Sequence, residues 1–310
     1  AFVTGGAGFI GSHLVDKLIE KGHKVTVFDN LSSGKKEFIE HNFSNKNFSF
    51  VEEDLLNKEK IIEAIEGHDV VFHIAANPDV RGGVDDPSIA EKDMQATYNI
   101  LDSMRKTDVK KIVFSSSSVI YGETPEKPLP EDYGPLLPIS VYGAAKLASE
   151  GMISSFAHTF DMQGWIYRFA NVVGIRGTHG VIVDFINKLR KNPKELEILG
   201  DGKQRKPYLY VTECVDGILH GFENSNEEIN VFNLGVESTT RVTRIGELVC
   251  EEMGLENVKF KYTGGKRGWK GDVPHFQFDI NKIKKTGWEP ELSSDETVRK
   301  AIKDILNSSL

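Results

Sequence analysis

The segment Ala1-Phe2-Val3-Thr4-Gly5-Gly6-Ala7-Gly8-Phe9-Ile10-Gly11 decides the fold of this chain. Its first four residues predict a short apolar strand, and residues 9–22 repeat apolar side chains at helical spacing. Between them, Gly5, Gly8 and Gly11 follow a G-x-x-G-x-x-G pattern. A helix that begins at such a joint presents unpaired N–H groups and the positive end of its dipole, which together form a binding site for a pyrophosphate.

A carboxylate after the second predicted strand supports this interpretation. The apolar run 24–28 ends at Asp29, at about the distance from the glycines at which dinucleotide-binding folds place the acid that binds a ribose. A glycine-rich turn without a ligand is the alternative, because a glycine triplet alone is a weak signal.

Composition narrows the class of protein. The chain has 310 residues, 39% of them hydrophobic, and a net charge of −8 with both signs interspersed, which does not indicate a nucleic-acid or membrane surface. No apolar run approaches the ~20 residues that a membrane span needs. Cys214 and Cys250 lack metal-ligand spacing and are interpreted as reduced thiols. We expect a soluble, cytoplasmic α/β protein without a metal.

Strand-like runs alternate with helical patterns along the chain, which predicts a Rossmann-like, doubly wound parallel sheet with helices on both faces. The predicted strands are residues 1–4, 24–28, 47–51, 69–75, 111–115, 165–169 and 228–234. We assign residues 1–170 plus 207–234 to a nucleotide-binding domain. Residues 171–206 plus 235–310 are expected to form a smaller, mostly C-terminal substrate lobe.

Four serines, Ser115 to Ser118, follow the predicted strand that begins at Lys111. Ligands of open parallel sheets bind at the carboxyl ends of the strands, so these hydroxyls would point toward the ligand of the glycine loop. Serines that merely satisfy backbone groups in a turn are the alternative.

The spacing Tyr-x-x-x-Lys occurs at Tyr142–Lys146 and again at Tyr262–Lys266. Residues i and i+4 of a helix share a face, and a nearby ammonium lowers the pKa of a phenol, which makes it a usable proton acceptor. Residues 143–145 of the first pair favour a helix, whereas two glycines interrupt the second. Tyr142 is therefore the candidate base.

Five ordered motifs resemble those of the extended short-chain dehydrogenase/reductase superfamily. They are Thr4–Gly11, Phe28-Asp29-Asn30-Leu31, His73-Ile74-Ala75-Ala76, Ser115–Ser118 with Tyr121-Gly122, and Tyr142 with Lys146. Within the superfamily the chain resembles the NAD-dependent sugar-nucleotide epimerase/dehydratase group and looks closest to the UDP-glucose 4-epimerases. The resemblance covers essentially the whole chain and is more specific for the superfamily than for the substrate.

The resemblance implies NAD as the cofactor, because the Asp29 carboxylate would hold the adenosine ribose and disfavour a 2′-phosphate. The residues expected to contact NAD are Gly5, Gly8, Phe9, Ile10, Gly11, Asp29, Asn30, Ser33, Gly34, Asp54, Leu55, Ala75, Ala76, Ser115, Tyr142 and Lys146. Ser117 matches the family's catalytic hydroxyl and Tyr142 its base, while Lys146 would tune that base and hold the nicotinamide ribose.

A UDP-sugar is the implied substrate, and the residues expected to contact it are Arg81, Ser117, Asn171, Val181, Arg205, Lys206, Arg267 and Phe276. The chain departs from the family pattern at three places. Lys206 occupies a slot where the family often has Arg, with Arg205 beside it, so either could meet the diphosphate. Trp269 replaces another family Arg, for which Arg267 is the substitute. Asp93 stands where many members carry a cofactor-contacting Asn. For these three departures a solvated or merely structural side chain is the alternative.

The implied reaction is inversion of C4 of a UDP-hexose, UDP-glucose or UDP-galactose, through a transient 4-keto intermediate, by an NAD-dependent isomerase. A sugar-nucleotide 4,6-dehydratase or decarboxylase is the alternative, although dehydratases usually carry Thr-Asp-Glu where this chain has Ser117-Ser118-Val119. A non-catalytic NAD-binding sensor or scaffold is the second alternative, which the presence of Tyr142 and Lys146 disfavours. Whether the sugar is a hexose, an N-acetylhexosamine or a uronic acid stays open.

The resemblance also implies a homodimer and a size filter for the sugar. Family members commonly pair two helices that correspond here to residues 89–105 and 141–158, both rich in apolar side chains. Phe276, four residues after Asp272, matches the position that gates room for a 2-N-acetyl group. Core packing is the alternative in both cases.

Overall fold

A computed structural model describes residues 1–77 and 82–308 of the chain. The strands are β1 (Phe2–Thr4), β2 (Val25–Asp29), β3 (Phe48–Glu52), β4 (Val70–His73), β5 (Lys111–Ser117), β6 (Gln163–Phe169), β7 (Asn171–Val173), β8 (Glu195–Ile198), β9 (Arg205–Lys206), β10 (Tyr208–Tyr210), β11 (Ile229–Leu234), β12 (Thr240–Arg241) and β13 (Lys259–Tyr262). The helices are α1 (Phe9–Glu20), α2 (Lys58–Ile65), α3 (Ser88–Thr107), α4 (Val141–Phe160), α5 (Val181–Lys191), α6 (Val211–Glu223), α7 (Val242–Glu252), α8 (Asn281–Lys284) and α9 (Ser294–Asn307).

Seven strands form one central sheet in the order β11-β6-β5-β4-β1-β2-β3, and every neighbouring pair is parallel. The chain builds one half of the sheet outward from β1 and then returns to build the other half from β4. The strand order therefore reverses between β1 and β4, the position at which open α/β sheets bind ligands. The prediction of a Rossmann-like parallel sheet is confirmed.

Apolar side chains cover both faces of the sheet, as parallel sheets require. On one face, α1 and α6 contribute Leu14 and Ile218 to a core that includes Val27. On the other face, α2, α3 and α4 bury side chains such as Ile100 and Ile153. These two cores hold the helices against the sheet. They thereby fix the positions of the helices next to the carboxyl ends of β1, β4 and β5.

A third cluster lies outside the central sheet, where α5, α7 and α9 pack around β8 and β10. Three two-stranded sheets complete this part: β7 with β10, β9 with β12, and β8 with β13. The division of the chain into two lobes remains a prediction. Among residues 1–77 and 82–308, no helix is long and apolar enough to cross a membrane, and no group of three or more His, Cys, Asp or Glu could hold a metal.

Candidate cofactor and active site

The glycine loop between β1 and α1 leaves no room for a Cβ atom at Gly5 or Gly11. Gly5 has a φ of +67°, and a Cβ placed on it would lie 2.7 Å from the Ala75 backbone. A Cβ on Gly11 would lie 2.0 Å from the carbonyl oxygen of Gly5. Helix α1 begins at Phe9 with Gly8 as its N-cap, so the N–H groups of its first turn have no partner within the helix. This cradle fits the pyrophosphate of a dinucleotide.

The Asp29 carboxylate is fixed beside this loop at the end of β2. Its Oδ2 accepts a hydrogen bond from the Ala7 N–H at 2.9 Å, and its Oδ1 accepts one from the Leu31 N–H at 2.8 Å. Burial raises the pKa of Asp29, and the two N–H donors oppose that shift. A positioned carboxylate beside the anion cradle is the arrangement that binds the ribose of NAD.

Other residues expected to contact NAD lie at the same edge. Asn30 Nδ2 donates to Asp54 Oδ2 at 2.8 Å, which links the ends of β2 and β3. The Leu55 carbonyl accepts a hydrogen bond from Asn99 on α3. Gly34 approaches the Ala7 backbone so closely that a Cβ would lie 2.9 Å from it, and Ser33 beside it is exposed. Gly34 therefore lies against the loop, while Asn30, Asp54 and Leu55 follow the carboxyl ends of β2 and β3.

A buried histidine joins the ends of β1 and β4. Thr4 Oγ1 lies 2.8 Å from His73 Nδ1, and the Ala75 N–H donates to the same hydroxyl at 3.3 Å. His73 Nε2 lies 3.1 Å from Thr97 Oγ1. Burial and the nearby Lys146 ammonium lower the pKa of His73 to about 3, so the ring is neutral. This network holds the backbone of the partly buried Ala75, which precedes the partly buried Ala76, and it was not predicted from the sequence.

Helix α4 presents Tyr142 and Lys146 one turn apart, as predicted. It begins at Val141, where the Ser140 hydroxyl caps it by accepting the Gly143 N–H at 3.1 Å. Lys146 Nζ donates to the carbonyl oxygen of Ser115 at 2.5 Å. The same nitrogen lies 5.8 Å from the centroid of the Tyr142 ring, with the side chain buried against β5.

The pKa of Tyr142 is shifted in the direction opposite to the one expected from the sequence. Burial lowers the pKa of Lys146 to about 8, while the carboxylates of Asp93 and Glu150 oppose that shift. Burial also raises the pKa of Tyr142, and the Asp93 carboxylate adds to the rise. A lowered pKa was expected for this phenol, whereas the net shift is upward, because desolvation of the phenolate is the largest effect and the Asp93 carboxylate adds to it.

Ser117 ends β5 at the carboxyl edge of the sheet. Its hydroxyl accepts the Val119 N–H at 3.4 Å and caps the short 3-10 turn that follows. A Cβ on Gly143 would lie 3.0 Å from the Val119 carbonyl oxygen, so the start of α4 packs on this turn. Ser115 Oγ donates to the His73 and Ile74 carbonyls at 3.4 Å, which is the backbone-satisfying role weighed above. Ser117 and Tyr142 thus share one edge of the sheet.

Each of the three cations expected to meet a diphosphate is paired with a carboxylate. Lys206 Nζ lies 2.6 Å from Asp272 Oδ1, and the Asp272 side chain is 6% exposed. Arg205 pairs with Glu126 at 3.1 Å, and Arg267 pairs with Glu123. The two arginines are 44% and 41% exposed, and their glutamates are exposed as well.

The remaining substrate-contact candidates occupy different surroundings. Asn171 on β7 makes a side-chain hydrogen bond with the Tyr208 hydroxyl, and Val181 is the first residue of α5. Phe276 is buried in the large core, with its ring centroid 5.3 Å from that of Phe278. Arg81 lies outside the described residues.

Comparisons with known proteins agree with this geometry. The model of the NAD dependent epimerase/dehydratase family matches residues 1–235. A putative UDP-glucose 4-epimerase of Methanocaldococcus jannaschii is 35% identical, over 99% of this chain and 98% of its own. A crystal structure of a UDP-galactose 4-epimerase is 42% identical, with a TM-score of 0.88, and the alignment covers 100% of this chain and 99% of that one.

A solved UDP-glucose 4-epimerase of Thermotoga maritima with UDP-glucose is 36% identical, with a TM-score of 0.88 and 98% of both chains covered. Relatives with another activity are almost as similar: UDP-glucuronic acid decarboxylase 1 of Arabidopsis thaliana is 32% identical over 99% of this chain and 70% of its own. The glycine cradle, the Asp29 carboxylate and the family match together make NAD the cofactor. The chain belongs to the NAD-dependent epimerase/dehydratase family.

Proposed function

We propose that the protein is a UDP-hexose 4-epimerase that interconverts UDP-glucose and UDP-galactose through a transient 4-keto sugar. The observation that carries this proposal is the placement of Tyr142 and Lys146 on the first turns of α4. Lys146 bonds to the Ser115 carbonyl of β5, the strand that ends at Ser117, and Gly143 beside Tyr142 packs on the turn that follows. These contacts support a site in which a base, a cation and a hydroxyl act together next to NAD.

Each residue has a distinct role in this reaction. Tyr142 accepts the proton of the sugar 4-hydroxyl and returns it after the ketone has turned its other face. Ser117 donates a hydrogen bond to the sugar O4, and the Lys146 ammonium favours the phenolate form of Tyr142. NAD, when bound, would accept the hydride from C4 and return it to the opposite face of the ketone, and its positive charge would add to that of Lys146.

The residues after β5 favour epimerisation over dehydration. An elimination of water from the sugar needs an additional acid that protonates the leaving hydroxyl. Ser117-Ser118-Val119 provides two hydroxyls and an apolar side chain at this point, and Ser118 is buried. We therefore place the 4,6-dehydratase second, and the decarboxylase beside it, because a curated decarboxylase is nearly as similar to this chain as the epimerases. A non-catalytic NAD sensor remains the least supported alternative.

We infer that Arg205 and Arg267 contact the diphosphate of the substrate. Their present partners, Glu123 and Glu126, are exposed, so each arginine can exchange a weak surface ion pair for a phosphate at small cost. Lys206 is held by the buried Asp272, whose charge would be left uncompensated if Lys206 moved away.

A panel of nucleotide sugars tests the proposal. The purified protein is incubated with UDP-glucose, UDP-galactose, their N-acetyl forms and UDP-glucuronic acid, and the products are resolved by NMR. Conversion of UDP-galactose into UDP-glucose without loss of carbon or water is expected. Release of CO2 from UDP-glucuronic acid, or a 4-keto-6-deoxy product, would replace the epimerase by a decarboxylase or a dehydratase.

A further inference from the structure

A buried ion pair lies behind the proposed catalytic residues and is not used by the mechanism above. Arg168 on β6 donates from Nε to Glu150 Oε1 at 3.1 Å and from Nη2 to Glu150 Oε2 at 2.8 Å. The two side chains are 6% and 8% exposed. Burial of two charges is unfavourable unless their hydrogen bonds are satisfied, and apolar residues of the same volume often stabilise a fold as well or better. Stability alone therefore does not explain why this ion pair is buried here.

The pair is connected to the strand that carries the catalytic serine. Ser116 Oγ donates to Glu150 Oε1 at 2.5 Å. The preceding residue, Ser115, accepts the Lys146 ammonium through its carbonyl oxygen. The two residues of β5 that directly precede Ser117 are thus bonded to two residues of α4, and these two lie one helical turn apart.

On its other side, Arg168 is bonded to the turn after Ser117. Its Nη1 donates to the Tyr121 hydroxyl at 2.8 Å and to the Glu131 carbonyl at 2.7 Å. The Tyr121 hydroxyl donates in turn to Asn233 Oδ1 at 2.8 Å. Burial raises the pKa of Tyr121 to about 12, although Arg168 opposes the shift, so the phenol keeps the proton that it donates. The Arg168 guanidinium and the Tyr121 hydroxyl therefore both have hydrogen-bond partners within the protein.

Residues 142, 146 and 150 occupy the same face of α4 on successive turns, so a rotation or shift of the helix that moves one moves all three. We propose that Glu150 is a positioning residue, which, through Ser116 and Arg168, fixes the catalytic helix against the strand and turn of Ser117. The inference rests on the proposed function, because it assigns Glu150 a part in the reaction of Tyr142 and Lys146.

Glu150 also acts on the charge of Lys146, which gives the proposal a second readout. The titratable groups that face Lys146 are Asp93 from α3, His73 from β4, and Tyr142 and Glu150 from its own helix. His73 is neutral, so the two carboxylates oppose the desolvation that lowers the pKa of Lys146 to about 8. Loss of the Glu150 charge leaves Asp93 alone against that desolvation and lowers the pKa of Lys146 further.

The test compares Glu150→Gln, Ser116→Ala and Asp102→Asn. Asp102 is the control, because it is a buried carboxylate on α3 that is paired with Lys58 and Arg105. We expect kcat for UDP-galactose to fall about 10- to 100-fold in the first two variants, with KM changed by less than about twofold. In Glu150→Gln alone, the alkaline limb of the kcat profile moves to lower pH.

The kinetic results distinguish a failure of the proposed function from a failure of the role assigned to Glu150. A wild-type protein that does not epimerise any UDP-sugar would overturn the proposed function, whereas an active wild type with unchanged kcat in both variants would overturn the role of Glu150 alone. An equal fall in kcat for Asp102→Asn would show a general loss of stability and would also overturn it. If Glu150→Gln does not fold, Ser116→Ala decides, since it leaves no charge unpaired, and a wild-type kcat there refutes the proposal.

Discussion

Lys146 Nζ donates a 2.5 Å hydrogen bond to the carbonyl oxygen of Ser115, which joins the catalytic helix to the strand that ends at Ser117. The bond holds the ammonium 4.6 Å from the centroid of the Phe114 ring, in surroundings that lower its pKa to about 8. The Lys146 side chain is 4% exposed, so its ammonium does not face solvent. Its charge is therefore directed at the edge of the sheet where Tyr142 lies.

Replacement of Tyr142 by Phe removes the proposed base with little change in shape. We expect kcat to fall by about 10²–10⁴-fold, the range for loss of a positioned general base, with unchanged folding and NAD binding. Tyr262→Phe is the matched control, because Tyr262 is the first residue of the other Tyr-x-x-x-Lys pair and is 45% exposed on β13. Steady-state kinetics of both variants test the assignment, and a fully active Tyr142→Phe would place the base elsewhere.

The sequence predicted the central sheet and the glycine cradle with Asp29 beside it because both depend on local patterns. Apolar runs, glycine spacing and the i, i+4 relation act over short segments, and each is read directly from the chain. Partners distant in sequence were not predictable: Arg267 pairs with Glu123, and Lys206 with Asp272. No local pattern identifies which carboxylate a cation will meet.

The Glu150–Arg168 pair was also missed, although the sequence held a signal. Arg168 is a charged residue inside the apolar strand 165–169, where only a buried counter-charge would allow it. Glu150 lies four residues after Lys146 and extends the same helical face. The raised pKa of Tyr142 could not be foreseen either, since it depends on burial, which spacing does not reveal.

Substitution of Gly11 by Ala should disrupt the phosphate cradle. The new Cβ would lie 2.0 Å from the Gly5 carbonyl oxygen, a contact that only backbone movement can relieve. We expect a loss of NAD binding, measured as nucleotide released from the denatured protein, and a lower melting temperature. Gly151→Ala on α4 is the control, since a Cβ there meets nothing within 4 Å, and it should stabilise the helix by about 1 kcal/mol. Normal NAD content in Gly11→Ala would contradict the assigned loop.

Asp29→Asn tests the choice of NAD over NADP. Loss of the carboxylate removes charge-assisted hydrogen bonds to a ribose, worth about 1.5–3 kcal/mol, and the repulsion of a 2′-phosphate. We expect the ratio of NAD to NADP affinity, measured by calorimetry, to fall at least about tenfold. Glu52→Gln, which removes an exposed charge at the end of the neighbouring strand, should leave that ratio unchanged. An unaltered ratio in Asp29→Asn would refute the role of Asp29.

The burial of Asp29 adds a dependence on pH. Because burial raises the pKa of this carboxyl, it takes up a proton at a higher pH than an exposed aspartate does. A protonated carboxyl is a poorer acceptor for the ribose hydroxyls, so NAD affinity should weaken as the pH falls through the raised pKa. The wild type should show this weakening, and Asp29→Asn should not.

A homodimer is expected to form through α3 and α4. These helices pack on each other within the chain, yet Tyr98 on α3 stays 41% exposed, with its ring centroid 6.2 Å from that of the half-buried Phe156 on α4. An exposed aromatic side chain beside a half-buried one on the neighbouring helix is typical of an interface. Light scattering at micromolar concentration should give twice the chain mass, and Tyr98→Glu should give the mass of one chain. A single-chain mass for the wild type would exclude a stable dimer.

The choice between hexoses and their N-acetyl forms is predicted to depend on Phe276. Its ring packs against Phe278 in the large core, and the prediction assumes that the sugar lies against this ring. A bulky 2-substituent would then have to displace a well-packed side chain. Overpacking of this kind costs about 1–3 kcal/mol, which corresponds to roughly a ten- to hundredfold preference for UDP-galactose over UDP-N-acetylgalactosamine.

Phe276→Ala should reduce this preference, although the cavity that it leaves will also destabilise the protein by about 3–5 kcal/mol. The ratio of kcat/KM for the two substrates, measured on one preparation, is independent of the folded fraction and so separates the two effects. Phe278→Ala is the matched control, since it opens the same core one side chain away and should leave the ratio unchanged. Equal use of both substrates by the wild type, or a ratio that Phe276→Ala does not move, would show that Phe276 serves only the core.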